Sequence, residues 1–576
     1  MQPCRESYHH QGLWRGLKLG LCCAVFPGLR RGPSRPARPL SRFMYGRVKD
    51  CRDSYVWVPC WALARGCYVA GREETSARLE AVARRQRHLP LRVNPLLRYT
   101  SLPFIVAGLS HVLAGIFGLF EGDHNYSLQL LAWGSIFIAV GYAWINFMEP
   151  SRSITREEAI VLVAYSWVTT PIISALPVYV SLGIPFIDAW FESVSGFTAT
   201  GLTIFTGQVN PDYGVYIPSI EELPASILWW RAVTEWFGGF GIVVMFFTMV
   251  RLGGLPAHLV GFAEGRFERL EPSIARSLRA LMELYLMLTI MGAIGLYLAG
   301  MTPSDAVYHS MTGIATGGFS THTTSIGFYD SLLIESVTVV IMLTGAMNFA
   351  DLYAILKGIP RRFSGEIQSL LAVAFLASTA AAVMLYTAGW SPKGFLRDAI
   401  FHVVSALTGT GFGIDDLSSA PPDFKALLIP IMLIGGSIFS TSSGLKQYRL
   451  MVIVKSILWS VSEVIYGGRR VIARSVGGRP VTISELQNVI SVAALLTLTE
   501  FAGALALSAL LPTRSFVDAA FETASALANV GLSVGITSAA ASIPVKLVLI
   551  VIMTLGRLEV AGFLFALASL AKMLRR

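Results

Sequence analysis

Four segments of the chain share one pattern of residues, and this pattern indicates ion binding rather than catalysis. The segments are DAWFESVSGFTATG from Asp188, DAVYHSMTGIATGG from Asp305, DAIFHVVSALTGTG from Asp398 and DAAFETASALANVG from Asp518. Each begins with Asp-Ala, has an aromatic residue and then Glu or His, and closes with a glycine thirteen residues after the aspartate. Such agreement in four copies indicates an internal repeat.

The last four residues of each copy, called a strip below, are rich in Gly, Thr and Ala. Glycine tolerates positive φ and close approach, so successive carbonyl oxygens of a strip can turn to one side. Four strips around one axis would form a ring of carbonyl oxygens that can replace the hydration shell of a cation. For one strip alone an ordinary glycine-rich helix connection would be the better interpretation, but four in register argue against it. The predicted ion-binding residues are Thr198, Ala199, Thr200 and Gly201; Ala315, Thr316, Gly317 and Gly318; Thr408, Gly409, Thr410 and Gly411; and Ala528, Asn529, Val530 and Gly531.

The composition indicates which elements position these strips. Of the 576 residues, 53% are hydrophobic and only 14% are charged, whereas soluble domains carry about 25% charged residues. A large water-soluble enzyme is thereby excluded, and a polytopic membrane protein is indicated. Ten apolar stretches are long enough to cross a bilayer: 100–121, 126–148, 158–181, 224–250, 276–300, 331–357, 366–389, 424–459, 484–511 and 543–572.

Each repeated segment lies between two of these stretches and is too short to span by itself. About ten helical residues rise about 15 Å, half of the hydrocarbon thickness, so each segment should enter the membrane and return. Its aspartate is expected to cap the helix N-terminus. The predicted fold is an all-α polytopic membrane protein with two N-terminal transmembrane helices and four membrane-pore-membrane repeats around a central pore. The predicted boundaries are 96–149 for the two helices and 157–250, 276–357, 366–459 and 484–572 for the repeats.

The N-terminal stretch differs from everything that follows. Residues 1–100 contain 19 Lys or Arg and 6 Asp or Glu, whereas the rest of the chain contains 27 and 30. All six cysteines also fall here, without the spacing of a zinc site. Residues 1–95 are predicted to be a basic arm, disordered or weakly ordered, that contacts anionic membrane lipids. A start-site artefact is the alternative.

Basic residues also predict the orientation in the membrane. The loops 251–279, 357–362 and 460–480 are rich in Lys and Arg, whereas 203–224 and 320–331 contain none. By the positive-inside rule, both termini are cytoplasmic.

Several of these motifs resemble the Trk/Ktr superfamily of potassium transporters, in particular its TrkH branch. They are FESVSGFTATG, GMTPSDAVYHSMTGIATGGFSTH, GGSIFSTSSGLKQYR and LGRLEV, and the likeness extends from Leu96 to Arg576. The resemblance implies potassium uptake across the plasma membrane through a filter that shares one glycine per strip, here Gly201, Gly318, Gly411 and Gly531. Relatives that favour Na⁺ often carry serine at the first of these positions, so Gly201 favours K⁺.

The resemblance also implies a gate beneath the filter. The span 424–459 is interrupted by polar residues and should be broken in mid-membrane. The expected intramembrane loop is poorer in glycine than that of relatives and includes Gly435, Gly436, Ser440, Thr441, Ser442, Ser443, Gly444 and Lys446. Arg557, in the last span, matches an arginine that opposes cation passage in relatives. Pairing of Arg557 with Glu559 or Glu500 is the alternative role.

Members of this superfamily are homodimers that sit on a cytosolic ring of TrkA-like or KtrA-like regulatory subunits. A nucleotide, NAD or ATP/ADP, is therefore expected on that partner, and no cofactor or nucleic acid on this chain. The basic loops 251–279 and 460–480 are candidate docking surfaces. A Na⁺ or mixed-cation transporter of the same fold is the main alternative. A membrane enzyme or pump subunit fits less well, because the chain has neither a GxxxxGK[ST] phosphate loop nor an HExxH motif.

Overall fold

The computed structural model describes residues 45–49, 55–59, 91–93, 95–152, 154–241, 274–358, 365–466 and 474–575. The chain divides into two units, Met1–Arg87 and His88–Arg576. In the first unit, strands β1 (Tyr45–Lys49) and β2 (Tyr55–Pro59) pair antiparallel. This pair was not expected from the composition of the arm. The other residues predicted as the arm, up to residue 90, lie outside the described residues, as do 242–250 of the first repeat, 251–273 of the first docking loop and 467–473 of the second.

The second unit is built from helices, with short strands in its connections. The helices are α1 (Pro95–Tyr99), α2 (Leu102–Phe120), α3 (His124–Phe147), α4 (Arg156–Leu182), α5 (Phe186–Phe197), α6 (Ala225–Gly239), α7 (Ile274–Leu298), α8 (Pro303–Ile314), α9 (Leu332–Ala346), α10 (Phe349–Leu356), α11 (Glu366–Ala388), α12 (Phe395–Thr408), α13 (Pro422–Ile434), α14 (Gln447–Tyr466), α15 (Ile483–Leu510), α16 (Phe516–Leu527), α17 (Ile543–Arg557) and α18 (Val560–Leu574). The strands are β3 (Leu91–Val93), parallel to β4 (Met148–Pro150), and the antiparallel pairs β5 (Thr206–Asn210) with β6 (Val215–Ser219) and β7 (Ser475–Val476) with β8 (Arg479–Pro480).

The predicted helical membrane fold is confirmed. Among the described residues, six helices are long and apolar enough to cross a bilayer, and two bent helix pairs raise that number to eight. Helices α5, α8, α12 and α16 belong to the four repeated segments predicted to surround a pore and are called pore helices below. They contain 12 to 14 residues, so none of them can span alone. They are surrounded by the longer helices and contribute many of the buried residues of the core.

Three of the predicted spans are interrupted, whereas the sequence indicated one interruption. The expected break separates α13 from α14 at residues 435–446. In addition, α9 and α10 meet at 107° and α17 and α18 at 91°. At the first of these bends, the Asn348 side chain accepts hydrogen bonds from the first turn of α10 and so caps a new helix. Arg557 is therefore the last residue of α17 and does not lie within a continuous last helix.

The repeated aspartates were predicted to cap the pore helices, and that prediction is wrong. Thr302 and Ser515 are the caps of α8 and α16, and they accept from the amides of Asp305 and Asp518. The caps of α5 and α12 are a proline and a glycine without a capping side chain. Each repeated aspartate lies instead inside the first helical turn. From that position two of them reach a lysine of another repeat.

Each repeat meets the next at a junction between the helix after one strip and the following pore helix. Ion pairs connect the two repeats at three of the four junctions. Lys546, the fourth residue of α17, lies 2.6 Å from Asp188 of α5. Lys425, the fourth residue of α13, lies 2.8 Å from Asp518 of α16. At the junction of the second and third repeats the signs are reversed. Glu335, the fourth residue of α9, accepts two hydrogen bonds of 2.6 Å from Arg397 of α12. Each pair joins the helix after one strip to the pore helix of the next repeat.

The junction between the fourth and first repeats provides a test of stability. Asp188 and Lys546 are both almost fully buried. Replacing Lys546 with methionine would leave the Asp188 carboxylate buried without its cation, which costs about 3–5 kcal/mol. We expect Lys546→Met to lower the midpoint of thermal unfolding in detergent clearly, and Asp188→Asn in the same chain to restore part of the loss.

The exposed pair of Lys572 with Glu157 is the matched control. Surface pairs contribute about 1 kcal/mol or less, so Lys572→Met should leave the midpoint nearly unchanged. Equal midpoints for Lys546→Met and the unaltered protein would contradict the role assigned to the buried pair.

Candidate ion-binding site

The structure brings the four strips together in a closed ring. The α-carbon of each closing glycine faces a carbonyl oxygen of the next strip so closely that an added β-carbon would overlap it. Gly201 faces the Gly317 carbonyl, Gly318 faces Thr410, Gly411 faces Val530 and Gly531 faces Thr200. The order runs from the first strip through the second, third and fourth and back to the first. All sixteen residues predicted from the repeat therefore lie at one place.

The four strips share one backbone conformation with two left-handed residues each. These are Ala199 and Gly201, Thr316 and Gly318, Gly409 and Gly411, and Asn529 and Gly531, with φ between 49° and 101°. The second of these positions is glycine in every strip, which the sequence pattern anticipated. The first is a non-glycine residue in three strips, and positive φ costs such a residue about 1–2 kcal/mol. The surrounding structure must therefore hold it.

Backbone hydrogen bonds from the pore helices provide that support. The amides of Thr200, Gly317, Thr410 and Val530 donate to carbonyl oxygens five residues earlier, at 2.8, 2.9, 3.0 and 2.8 Å. In a trans peptide the N–H and the preceding C=O point in opposite directions. Each bond to the pore helix therefore turns the carbonyl of the left-handed residue away from that helix. The same arrangement recurs in all four repeats.

Side chains make the ring unequal. The hydroxyls of Thr198 and Thr200 lie 2.6 Å apart, and those of Thr408 and Thr410 lie 2.8 Å apart. In the fourth strip Asn529 donates 2.9 Å to the hydroxyl of Thr200 and so connects the fourth strip to the first. Asn529, which departs from the threonine-rich pattern of the sequence, thus makes a hydrogen bond between two strips.

The Glu or His of each repeat supports the chain after the strip. Glu192 accepts from the Ile204 amide at 3.2 Å, and Glu522 from the Val534 amide at 3.0 Å. His402 accepts from Ile414 at 3.5 Å, and His309 is hydrogen bonded to the Ser320 hydroxyl at 2.8 Å. In the part of the chain that the structure describes, no three His, Cys, Asp or Glu residues could hold a metal ion together.

A cavity of about 840 Å³ opens at the glycine end of the ring. All four closing glycines line it, together with the acidic residues Asp415 and Asp416 and the basic residues Arg231 and Lys393. Near this cavity, hydrogen bonds from Lys393 and Arg397 hold the pKa of Asp330 below its ordinary value. The cavity leads directly to the strips, because their closing glycines form part of its wall.

The predicted loop lies at the opposite end of the strips. Thr441 donates 2.9 Å to the carbonyl of Ile314, and its hydroxyl is 3.2 Å from that of Thr316 in the second strip. A β-carbon added to Gly409 in the third strip would lie 3.1 Å from the Ser442 hydroxyl. Most of the loop is buried, and the buried predicted residues are Gly435, Gly436, Ser440, Thr441, Ser442, Ser443 and Lys446. Gly435 and Gly444 have positive φ and pack against each other within the loop, next to Gly436.

Two buried cations accompany this loop. The Arg557 guanidinium donates to the Thr441 carbonyl at 3.1 Å and to the Ser443 hydroxyl at 3.3 Å, and it also donates to the Gly238 carbonyl. Lys446 donates to the Ser442 carbonyl. Glu559, offered as an alternative partner of Arg557, instead lies 2.8 Å from Arg449. The other alternative, Glu500, has no hydrogen-bond partner for its carboxylate among the described residues.

Sequence reasoning missed several residues that shape the ring. Gly238, Gly345 and Gly556 occupy the fourteenth position of α6, α9 and α17. A β-carbon on any of them would crowd the carbonyl at or next to the end of its own pore helix. Alignment of these helices by their first residues would have revealed the shared glycine. Two contacts made by α6 were also missed: Glu235 lies against the second strip, and Arg231 contacts the residues directly after it.

Comparison with known proteins agrees with this geometry. Residues 130–385 and 391–572 match the TrkH family of cation transport proteins. An uncharacterized cation transporter of Methanocaldococcus jannaschii is 30% identical over 81% of this chain and 96% of its own length. The Trk system potassium uptake protein TrkH of Halomonas elongata is 30% identical over the same shares of the two chains.

A solved structure shows the same architecture. The crystal structure of the potassium transporter TrkH from Vibrio parahaemolyticus is 27% identical in sequence and has a TM-score of 0.66 to this chain. The superposition covers 81% of this chain and 97% of the other. These relatives are transport proteins and not enzymes. The chain is a multi-pass membrane protein that belongs to the TrkH family of cation transport proteins.

Proposed function

We propose that this protein carries K⁺ across the plasma membrane through the ring formed by its four strips. The closed ring, with the same alternating backbone in every strip, is the observation that supports this proposal most directly. Carbonyl oxygens turned away from the pore helices would replace the hydration shell of the ion. Ions would enter the ring from the cavity at its glycine end.

Gly201 and the relatives named as potassium transporters favour K⁺ as the ion. The main alternative, a Na⁺ or mixed-cation transporter, is favoured by the unequal fourth strip, where Asn529 and Val530 replace the threonine-rich pattern. A ring with unequal sides can coordinate an ion less uniformly, so selectivity is the property to measure first.

We further propose that passage is limited by the loop between α13 and α14 together with Arg557. The loop contacts the second and third strips, and Arg557 and Lys446 add two buried positive charges beside it. A cation that leaves the ring on this side would meet both charges. Displacement of the loop would remove the obstacle and would break its hydrogen bonds to α17 and to the second repeat.

The termini are proposed to be cytoplasmic, because the basic loops lie on the same side as both ends of the chain in the predicted topology. We also propose a homodimer on a cytosolic ring of TrkA-like or KtrA-like subunits, which would carry the nucleotide. The loops 251–279 and 460–480 are the proposed docking surfaces, on the grounds of their basic sequence.

Rubidium uptake into proteoliposomes tests the transport proposal. The purified chain should give uptake of ⁸⁶Rb⁺ that external K⁺ inhibits at much lower concentration than Na⁺. Liposomes prepared without protein give the background. Equal inhibition by Na⁺ and K⁺ would favour the mixed-cation alternative, and uptake no faster than background would contradict the proposal.

A further inference from the structure

A buried carboxylate lies directly behind the second strip. Both oxygens of Glu235 accept from the Phe319 amide, at 3.0 and 3.2 Å, and the side chain is fully buried. A β-carbon added to Gly317 would lie only 2.5 Å from the carboxyl carbon of Glu235. The carboxylate therefore occupies the space that a side chain at position 317 would need.

The other three junctions of the ring are built differently. Glu235 is the eleventh residue of α6, and the eleventh residues of α9, α13 and α17 are Met342, Met432 and Met553. All three methionines are fully buried, as Glu235 is. The strips that follow them carry Thr410, Val530 and Thr200 at the position of Gly317. At one junction, therefore, Glu235 stands where the other three have a methionine, and Gly317 of the adjoining strip stands where the other strips have a larger residue.

The hydrogen bond fixes the orientation of a carbonyl of the ring. The Phe319 N–H and the Gly318 C=O belong to the same trans peptide and point in opposite directions. Since the N–H points to Glu235 behind the strip, the Gly318 carbonyl points away from α6. Among the described residues, the corresponding amides of Leu202, Phe412 and Leu532 donate to no side chain.

Helix α6 holds the next residues of the same segment as well. Arg231 donates 2.9 Å to the Ser320 carbonyl, and its guanidinium lies 4.0 Å from the centre of the Phe319 ring. The charge of Arg231 is paired with Glu192 at 2.7 Å. Glu235 has no salt-bridge partner among the described residues, so its placement is explained by the Phe319 amide and not by an ion pair.

We propose that Glu235 is a positioning residue that sets the ion selectivity of the ring through the Gly318 carbonyl. This inference rests on the proposed function. A hydrogen bond from an amide to a buried carboxyl oxygen is directional, whereas a methionine offers no comparable acceptor. Without the bond, the peptide between Gly318 and Phe319 can rotate, and the second strip loses a fixed oxygen.

Three substitutions at Glu235 separate the hydrogen bond from charge and from packing. Glu235→Gln keeps an acceptor oxygen at the same reach but cannot ionise. Glu235→Asp keeps a carboxyl group but withdraws it by one methylene, and Glu235→Met copies the other repeats. The measured quantity is the ratio of the Na⁺ and K⁺ concentrations that halve ⁸⁶Rb⁺ uptake into proteoliposomes. Gel filtration in detergent reports whether each variant is folded.

We expect Glu235→Gln to keep this ratio within about twofold of the unaltered protein. Glu235→Asp and Glu235→Met should lower it at least about fivefold, the effect of losing one buried hydrogen bond. Met432→Leu, at the equivalent position of the third repeat, should leave it unchanged. If Glu235→Met does not fold, the comparison of Glu235→Asp with Glu235→Gln still tests the role of the hydrogen bond.

Unchanged selectivity in Glu235→Asp would overturn the inference, and so would a Gln variant as poorly selective as the Asp variant. The result for the unaltered protein separates this failure from that of the proposed function. If the unaltered protein takes up no Rb⁺, transport itself is contradicted. If it is selective and the Asp variant is equally so, only the role of Glu235 is lost.

Discussion

Replacing Gly318 with alanine is expected to reduce ⁸⁶Rb⁺ uptake at least about 100-fold. The residue has φ of 84°, where a side chain costs about 1–3 kcal/mol. Its β-carbon would also overlap the Thr410 carbonyl oxygen of the next strip. Because that oxygen belongs to the ring itself, the overlap can be relieved only by moving a group that we propose binds the ion. Uptake into proteoliposomes, at matched amounts of folded protein, measures the effect.

Gly413 provides the matched control. It follows the third strip by two residues, and a β-carbon there would meet its nearest neighbour, the Asp415 carbonyl oxygen, at an ordinary 3.7 Å. Gly413→Ala should therefore keep uptake within about threefold of the unaltered protein. Normal uptake by Gly318→Ala, or equal losses in both variants, would show that the ring does not determine transport.

Removal of the charge at Arg557 is expected to act in the opposite direction. The guanidinium is almost fully buried and donates to the loop at Thr441 and Ser443. Arg557→Gln would remove a positive charge from the proposed path and loosen the loop. We expect ⁸⁶Rb⁺ uptake to rise about tenfold, which corresponds to a barrier lower by about 1.4 kcal/mol.

The control removes an equal charge nearby. Arg449 lies 2.8 Å from Glu559 at the bend after α17, and its side chain is only partly buried. Arg449→Gln should change uptake less than about twofold. Slower or unchanged uptake in a folded Arg557→Gln protein would contradict the proposed obstacle and leave Arg557 as a structural residue.

The strips could be predicted from the sequence because their pattern is local. Each closing glycine stands at a fixed distance from its aspartate, and the left-handed backbone that it permits is a property of the residue itself. The bends at Asn348 and Glu559 were missed because apolar residues continue on both sides of each break. There, the hydrophobic pattern is the same for a straight helix and for a bent one.

Other misses have a different cause, since they depend on contacts between distant segments. The aspartates were predicted to be caps because each begins a repeated segment, but Asp188 and Asp518 form ion pairs with Lys546 and Lys425 of other repeats. The repeat pattern did not single out Glu235. Its contact with the second strip, some eighty residues later, follows from the ring order, which no local pattern reveals.

The placement of Glu235 behind one strip alone has a consequence for how such a pore can change over time. In a pore assembled from four identical chains, any substitution would appear in all four quarters at once. Here the four quarters are encoded separately, so a single mutation alters one side of the proposed ion path and leaves three unchanged. Ion preference can therefore be adjusted in small steps, at one quarter of the ring at a time.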